Sequence, residues 1–373
     1  MEYRDFGRSG VKISALGFGC MRFPMIKDGE KNVVDVEAVT EMIKKAYELG
    51  VNYFDTALFY CDGLSENALG KAVKGFRDNV YISTKCPSDR LKEFGGYRNI
   101  LEAQLKKLDM DYIDFYHYHG IGYAHFLETD KEWKWIDAAI KAKAEGLIRH
   151  ISFSFHSKPE DIKKLVDLDI FDSLLCQYNC IDRSNEEGIA YAKSKGIGVI
   201  AMGPVGGGRI SSIPPTIAKD AGVKVSTSSE MALRFVLANP NVDCALSGMQ
   251  NLQMVIENVN TASSPEPLTS EQLNAINKIL DEKKELAKLY CPGCRYCMPH
   301  CPQKVNIEYI FQLYNDYKIY GVEEVSKAEY ASLGKYNTTD ASHCIECGVC
   351  EEKCPQNIKI IEKLKTCHEL LKA

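Results

Sequence analysis

Eight cysteines near the C-terminal end fall into two copies of one spacing: Cys291-x2-Cys294-x2-Cys297-x3-Cys301-Pro302 and Cys344-x2-Cys347-x2-Cys350-x3-Cys354-Pro355. A cubane iron-sulfur cluster needs four thiolates in tetrahedral directions, and a loop with a cysteine every third residue wraps three of them round one face while a distant residue caps the fourth. Zinc is the rival, since a single C-x2-C pair reads as half a zinc site. Zinc uses pairs, however, and here the third cysteine and the Cys-Pro ending occur in both runs. The chain holds 15 cysteines, six before residue 291 and nine from it onward. An odd total with this bias argues against a disulfide framework and for metal or redox chemistry in a reducing compartment. Cys367 lies outside the pattern and reads as a packed thiol.

A second constellation lies earlier. Asp55, Tyr60, Lys85 and His119 stand at or just beyond the ends of three successive apolar, β-branched runs. Each alone is weak, because a lysine ending a strand is ordinarily a solvated rim charge and a strand histidine a hydrogen-bonded core residue. Their recurrence on consecutive units points to a shared site at the C-terminal strand ends of a barrel. His117, His119 and Asp55 also form a conceivable zinc set, but no further His or Glu spacing supports it. Cys20, Cys61 and Cys86 flank Gly19, Tyr60 and Lys85 and read as packing.

The elements that must position these residues alternate in the βα manner. Strands are expected at Ser14–Gly19, Asn52–Ala57, Asn79–Lys85, Tyr112–His119, Arg149–Phe155, Phe171–Tyr178, Val199–Gly203 and Val242–Gly248. Val36, Val39, Ile43, Ala46 and Tyr47 recur on one helical face, and Gly50 closes that helix. Ser157-x-x-Glu160 and Thr227-x-x-Glu230 resemble capping boxes. Eight βα units in about 250 residues predict a (β/α)8 TIM barrel; an open doubly wound sheet uses the same alternation, but no Gly-x-Gly-x-x-Gly opens a helix after the first strand. Ser263–Leu268 is rich in Pro and Ser, and Thr269-x-x-Gln272 starts a helix towards Lys288. The expected division is a barrel over 1–268 and, over 269–373, a small and mostly helical ferredoxin-like domain with little core of its own.

At roughly 150 residues per domain, 373 residues fit that division. Hydrophobic residues at 45% and charged residues at 26% describe a chain that folds. A net charge of -5 and pI near 6.0 offer no basic field for nucleic acid. No apolar run approaches a membrane span, and Met1–Gly10 has no signal-peptide core, so a cytoplasmic protein with no membrane partner is expected.

Residues from about 290 to 360 resemble bacterial two-cluster ferredoxins, in which the fourth cysteine of each run ligates the other cluster. That resemblance implies two [4Fe-4S] clusters, one on Cys291, Cys294, Cys297 and Cys354 and the other on Cys344, Cys347, Cys350 and Cys301. Residues 1 to about 262 resemble the aldo-keto reductase superfamily. The resemblance rests on Gly7-Arg8-Ser9-Gly10, Leu16-Gly17-Phe18-Gly19, Phe54-Asp55-Thr56-Ala57-x-x-Tyr60, Gly63-x-Ser65-Glu66-x-x-Leu69-Gly70, Thr84-Lys85, Asp111-Tyr112-Ile113-Asp114-x-Tyr116-x-x-His119, Gln177-Tyr178-Asn179 with Asp182-Arg183, and Gly206-Gly207-Gly208. It implies that Asp55, Tyr60, Lys85 and His119 are a catalytic tetrad for hydride exchange between NADP(H) or NAD(H) and a small carbonyl substrate. Tyr60 would protonate the developing alkoxide, Lys85 stabilise its phenolate, Asp55 hold the ammonium, and His119 orient the carbonyl.

The same resemblance implies cofactor contacts from Ser154, Gln177, Met202, Pro204, Gly206, Gly207, Arg209, Gly248, Glu257 and Asn258. Phe155 replaces the usual Asn. Gly248 and Met254 stand where many relatives carry the Lys and Arg that hold a 2′-phosphate, which leaves the choice of nucleotide open. The expected function is NAD(P)H-linked reduction of an aldehyde or ketone, with clusters that carry electrons or brace the structure. The alternative is an electron-transfer protein on a catalytically quiet barrel, serving a redox partner protein.

Overall fold

A computed structural model describes residues 1–29, 31–208, 210, 216–264, 267–282, 291, 293–320, 323–333 and 339–372. Its largest feature is a closed barrel of eight parallel strands: β1 (Leu16–Gly19), β2 (Tyr53–Asp55), β3 (Tyr81–Pro87), β4 (Ile113–Ile121), β5 (Ile148–Phe155), β6 (Ser173–Gln177), β7 (Gly198–Met202) and β8 (Cys244–Gly248). Closure runs through Ala245 opposite Leu16 and Gly248 opposite Gly19. All eight expected strands are present, and the open sheet is excluded.

Contacts divide the chain into two compact units. One comprises Met1–Asn179, Arg183–Val205 and Glu230–Thr269; the other comprises Cys180–Asp182, Gly206–Ser229 and Ser270–Ala373. One break follows Thr269, and two segments before it in sequence are grouped with the second unit. Gln272 donates to the carbonyl of Gly222 at 3.0 Å, a link between sequence-distant segments that no local pattern announces.

In the first unit, strand Leu16–Gly19 is shorter than expected because Lys12–Ser14 pairs instead with Tyr3–Asp5 in an antiparallel hairpin. That hairpin carries Phe6 and Ile13 into a cluster with Tyr53, Phe115, Leu175, Ile200, Cys244 and Leu246, which fills the barrel. The Phe6 ring lies edge-on to Phe115 at 5.0 Å. A Cβ on Gly198 would lie 2.5 Å from the Phe6 ring, so glycine there is a steric requirement.

Between β4 and β5 the pairing slips from Tyr118 opposite Phe153 to Ile121 opposite Phe155. Three residues of β4 therefore span two of β5, a bulge at His119-Gly120 where Gly120 takes φ +66°.

Helix Val36–Glu48 begins on Asp35, whose side chain accepts from the Ala38 amide at 3.0 Å, and it buries Val39, Met42, Ile43 and Ala46. Gly50, at φ +96°, closes it as expected. Helix Ser228–Leu237 begins one residue after Thr227. The Ser157 capping box does not form: helix Glu160–Val166 has Pro159 at its N-cap position, and the Ser157 hydroxyl turns to Asp161 at 3.3 Å.

The second unit has more core than the sequence suggested. Helices Ile307–Tyr320 and Ile360–Leu371 pack Ile307, Ile310, Phe311 and Tyr314 with Ile360, Leu364, Cys367 and Leu371, and Tyr330 joins them from helix Glu323–Ala331. These faces are apolar only at helical spacing and meet across some forty residues, which short windows miss. Helix Ser270–Glu282 starts one residue after Thr269, and its expected course towards Lys288 falls on residues 283–290, outside those described. Among the described residues no helix is long and apolar enough to cross a membrane.

Phe6 is fully buried. Phe6→Ala is expected to destabilise the barrel by about 3–5 kcal/mol through lost burial and a cavity, read as a lower urea midpoint of tryptophan fluorescence. An unchanged midpoint would show that the hairpin is dispensable.

Candidate functional site

Asp55 ends β2 opposite Ser83, and Lys85 on β3 lies opposite His117 on β4. Side chains alternate along a strand. The residues that share a face with the core side chains Tyr53 and Phe115 are therefore Asp55 on β2 and His117 and His119 on β4.

Lys85 is 1% exposed. Its ammonium donates to Asp55 Oδ1 at 2.6 Å and to the Thr56 carbonyl at 2.7 Å. Asp55 Oδ2 accepts from the Ser83 hydroxyl at 2.6 Å. The Tyr60 ring centroid lies 4.7 Å from Lys85 Nζ, and the phenol is half-buried. Tyr60 is set by a tight loop: Cys61, Asp62 and Gly63 take φ of +53°, +55° and +82°. The amides of Gly63 and Ser65 both bond the Tyr60 carbonyl. Two consecutive non-glycine residues in the left-handed region cost roughly 1–2 kcal/mol each, a strain that marks a functional loop.

Behind Lys85 lies a buried network in which Glu66, Thr84 and Tyr116 belong to the motifs above and Gln104 to none. Glu66 Oε1 accepts from Thr84 Oγ1 at 2.8 Å and from Gln104 Nε2 at 2.6 Å. Gln104 Nε2 also reaches the Lys85 carbonyl at 3.1 Å, and its Oε1 accepts from Tyr116 at 2.6 Å. This network fixes the backbone on which the lysine stands. Burial raises the Glu66 carboxyl above its usual range.

Three imidazoles stand near the ammonium. Burial pushes His117 and His156 down to about 4, with the Lys85 charge acting in the same direction on both. His119 is held well below the usual histidine range by burial first, then by Lys85, His156 and His117. At neutral pH all three are uncharged donors or acceptors. His156 was missed because it follows the last strand residue and belongs to no motif quoted above. Among the described residues no three His, Cys, Asp or Glu side chains are placed to hold a single metal ion, so the His117, His119 and Asp55 zinc set has no site. Cys20 and Cys86 are fully buried in the core, and half-buried Cys61 turns its thiol to the carbonyls of Cys20 and Met21.

Of the expected cofactor residues, Ser154 is buried and its hydroxyl accepts from the Gly120 amide at 2.8 Å. Gln177 ends β6 with its side-chain amide against Gly203, and Met202 ends β7. Pro204 is buried just beyond. Gly206 and Gly207, at φ +59° and +67°, fall in the second unit, and Arg209 lies outside the described residues. Glu257 is exposed and bonded to Gln253, while Asn258 donates to Ser247 at 3.1 Å. Gly248 is covered by the stem of Arg22, whose Cδ would lie 3.3 Å from a Cβ there. The turn after β1 thus lays an arginine stem over the end of β8.

In the second unit two small pockets are each lined by four cysteines. Cys291, Cys294, Cys297 and Cys354 line one; Cys301, Cys344, Cys347 and Cys350 line the other. Ile307 borders both. Gly293, Arg295, Glu346 and Gly348 take positive φ, which curls each cysteine loop inward. A sulfur quartet around an apolar-walled space fits a cubane cluster, and the fourth sulfur of each quartet comes from the opposite run.

Residues 15–281 match the aldo/keto reductase family, and residues 290–358 match a 4Fe-4S dicluster domain. L-galactose dehydrogenase of Arabidopsis thaliana is 30% identical over 318 residues, covering 77% of this chain and 96% of that protein. The uncharacterized oxidoreductase YqkF of Bacillus subtilis is 27% identical, covering 74% and 95%. An aldo-keto reductase from Bacillus halodurans in its holo form superposes with a TM-score of 0.63 at 28% identity, over 75% of this chain and 96% of that one.

The depressed histidines give a pH dependence of definite sign. The unfolded chain takes up protons near pH 6.5, whereas folded His117 and His156 do so only near 4. Each therefore removes up to ~1.4 kcal/mol of stability per pH unit as pH falls from 6.5 to 4. The urea midpoint followed by tryptophan fluorescence should drop across that window, and His117→Gln should flatten the drop. A variant as steep as wild type would contradict the assignment.

Proposed function

The chain belongs to the aldo/keto reductase family, and on that premise we propose that its barrel transfers hydride between NADP(H) or NAD(H) and a small aldehyde or ketone. It is an oxidoreductase of that family joined to a 4Fe-4S dicluster domain. The observation that carries the reading is the buried Lys85–Asp55 pair beneath Tyr60.

When bound, the nicotinamide supplies the hydride that reaches the carbonyl carbon. The chain supplies the rest. Tyr60 Oη gives its proton to the carbonyl oxygen, so that hydride and proton together make the alcohol. Lys85 steadies the phenolate left behind, and Asp55 with Thr56 and Ser83 keeps that ammonium in place. Uncharged His119 donates a hydrogen bond to the carbonyl oxygen and so orients it. Ser154, Gln177, Met202 and Pro204 would hold the nicotinamide end. Gly248, Glu257 and Asn258 would hold the adenosine end.

The two cysteine quartets would each hold a [4Fe-4S] cluster, Cys291, Cys294, Cys297 and Cys354 in one and Cys344, Cys347, Cys350 and Cys301 in the other. Clusters move one electron at a time, so the tail serves electron exchange with a redox partner protein rather than the hydride step itself. Support for exchange is the exposed Cys347 with Ile345, 58% exposed, at the rim of the second cavity. Fifteen unbridged cysteines suit the cytoplasm, where thiols stay reduced.

Tyr60→Phe should lower carbonyl reduction by at least ~100-fold while leaving nucleotide affinity, read by fluorescence titration, within about twofold. Undiminished turnover would refute the proton donor.

Anaerobically purified protein should be brown and carry about eight iron and eight sulfide per chain. Cys291→Ser and Cys354→Ser should remove the same half of that iron, and Cys301→Ser the other half. Stoichiometric zinc without visible absorption would contradict the assignment.

A further inference from the structure

We propose that Lys107 is a positioning residue that clamps the loop carrying Tyr60, and so holds the phenol against Lys85. The inference rests on the reductase reading for what Tyr60 does there; the clamp itself is read without turnover.

Helix Ser65–Val73 follows the Tyr60 loop, and helix Tyr97–Leu108 leads towards β4. Their backbones meet at one point, where a Cβ on Gly70 would lie 2.0 Å from the Leu108 carbonyl oxygen. Only glycine fits there. Three residues before it, Asn67 Nδ2 donates to the Lys107 carbonyl at 3.1 Å. The backbone at Lys107 is thus fixed against the helix into which the loop runs. From that point the side chain reaches back: Nζ donates to the Gly63 carbonyl at 3.3 Å and lies 4.0 Å from Glu66 Oε2.

The loop it grips is strained, with Cys61, Asp62 and Gly63 all left-handed. Such a segment keeps its shape only where its surroundings over-determine it. The amides of Gly63 and Ser65 close the loop on the Tyr60 carbonyl, but those bonds are internal to it. Anchorage comes from two sides. The Ser65 hydroxyl donates to the Cys20 carbonyl at 2.9 Å and the Cys61 thiol to the same oxygen at 3.6 Å, while Lys107 holds Gly63 from the other side.

Lys107 also serves the floor of the site. An exposed ion pair contributes little, yet here the carboxylate is fully buried and its Oε2 has no hydrogen-bond partner. Among the described residues Lys107 is the one cation within 4.0 Å of it. A buried carboxylate stripped of its countercharge is strongly destabilised, and this one carries the hydrogen bonds of Thr84 and Gln104 beneath Lys85. One ammonium therefore ties the proton donor's loop and the network under the lysine to the same fixed point.

Lys107→Met in the cluster-loaded protein should lower kcat for propanal by about tenfold or more, because a misplaced reacting group loses its near-attack geometry, while KM for the nucleotide stays within about twofold. Lys107→Arg, which keeps a cation of similar reach, should restore most of kcat. A second readout needs no turnover. Cys61, in the same loop, should be alkylated by iodoacetamide at least about fivefold faster in Lys107→Met than in wild type, followed peptide by peptide in the mass spectrometer, because a loosened loop opens more often. Lys107→Gln, uncharged and one bond shorter, should behave as Lys107→Met does and covers the case in which that variant fails to fold. Wild-type kcat in the Met and Gln variants, or Cys61 alkylated in them at the wild-type rate, would overturn this proposal and leave the reductase reading standing. Faster alkylation in the variants of a protein whose wild type reduces neither propanal nor acetone would uphold the clamp and overturn the reductase reading.

Discussion

A lysine ammonium with 2% of its side chain exposed stays charged only if nearly all of its hydration is replaced. Removing an ion from water costs several kcal/mol even after relaxation, and a buried pair offsets this only with good geometry and satisfied donors. Lys85 meets that condition. Asp55 supplies the countercharge and Thr56 a carbonyl, while Ser83 satisfies the second carboxylate oxygen. The third ammonium proton is left on the side of the Tyr60 ring. Much of the site follows from this pair: the buried Glu66–Gln104 network holds the β3 backbone beneath it, and its charge helps keep three neighbouring imidazoles neutral.

The contrast between one retained charge and several suppressed ones gives the site its character. A neutral His119 can donate to a carbonyl without repelling Lys85, and a strained loop can hold Tyr60 because the barrel beneath it is filled and rigid. Phe6 and Ile13 from the N-terminal hairpin complete that filling. Stability at one end of the barrel and chemistry at the other thus meet in the same strands, as their alternation requires.

The barrel was legible because strand signals recur eight times and each ends in turn chemistry, and Asp55, Tyr60, Lys85 and His119 stood out as candidates because they sit beside those ends. The N-terminal hairpin was not, since three-residue strands carry too little pattern. Nor was the bulge at Gly120: an inserted residue in a parallel pair is visible only when both strands are aligned. His156 stayed hidden because it follows the last residue of β5 and belongs to no motif. The Ser157 box failed because Pro159 took the N-cap position and Asp161 drew the serine hydroxyl. In the tail, the cysteine spacing announced the quartets, but the core between helices Ile307–Tyr320 and Ile360–Leu371 arises from faces far apart in sequence.

On the proposed reading, the buried ion pair equips Tyr60 and His119 for reduction of a carbonyl by hydride. Single-turnover transfer from nicotinamide deuterated at the reactive carbon tests it most directly. The account predicts that wild type places deuterium on the former carbonyl carbon, without washout into water, and that Lys85→Met, folded and still binding the nucleotide, does not. Transfer at the wild-type rate in Lys85→Met, or label found in solvent, would contradict it.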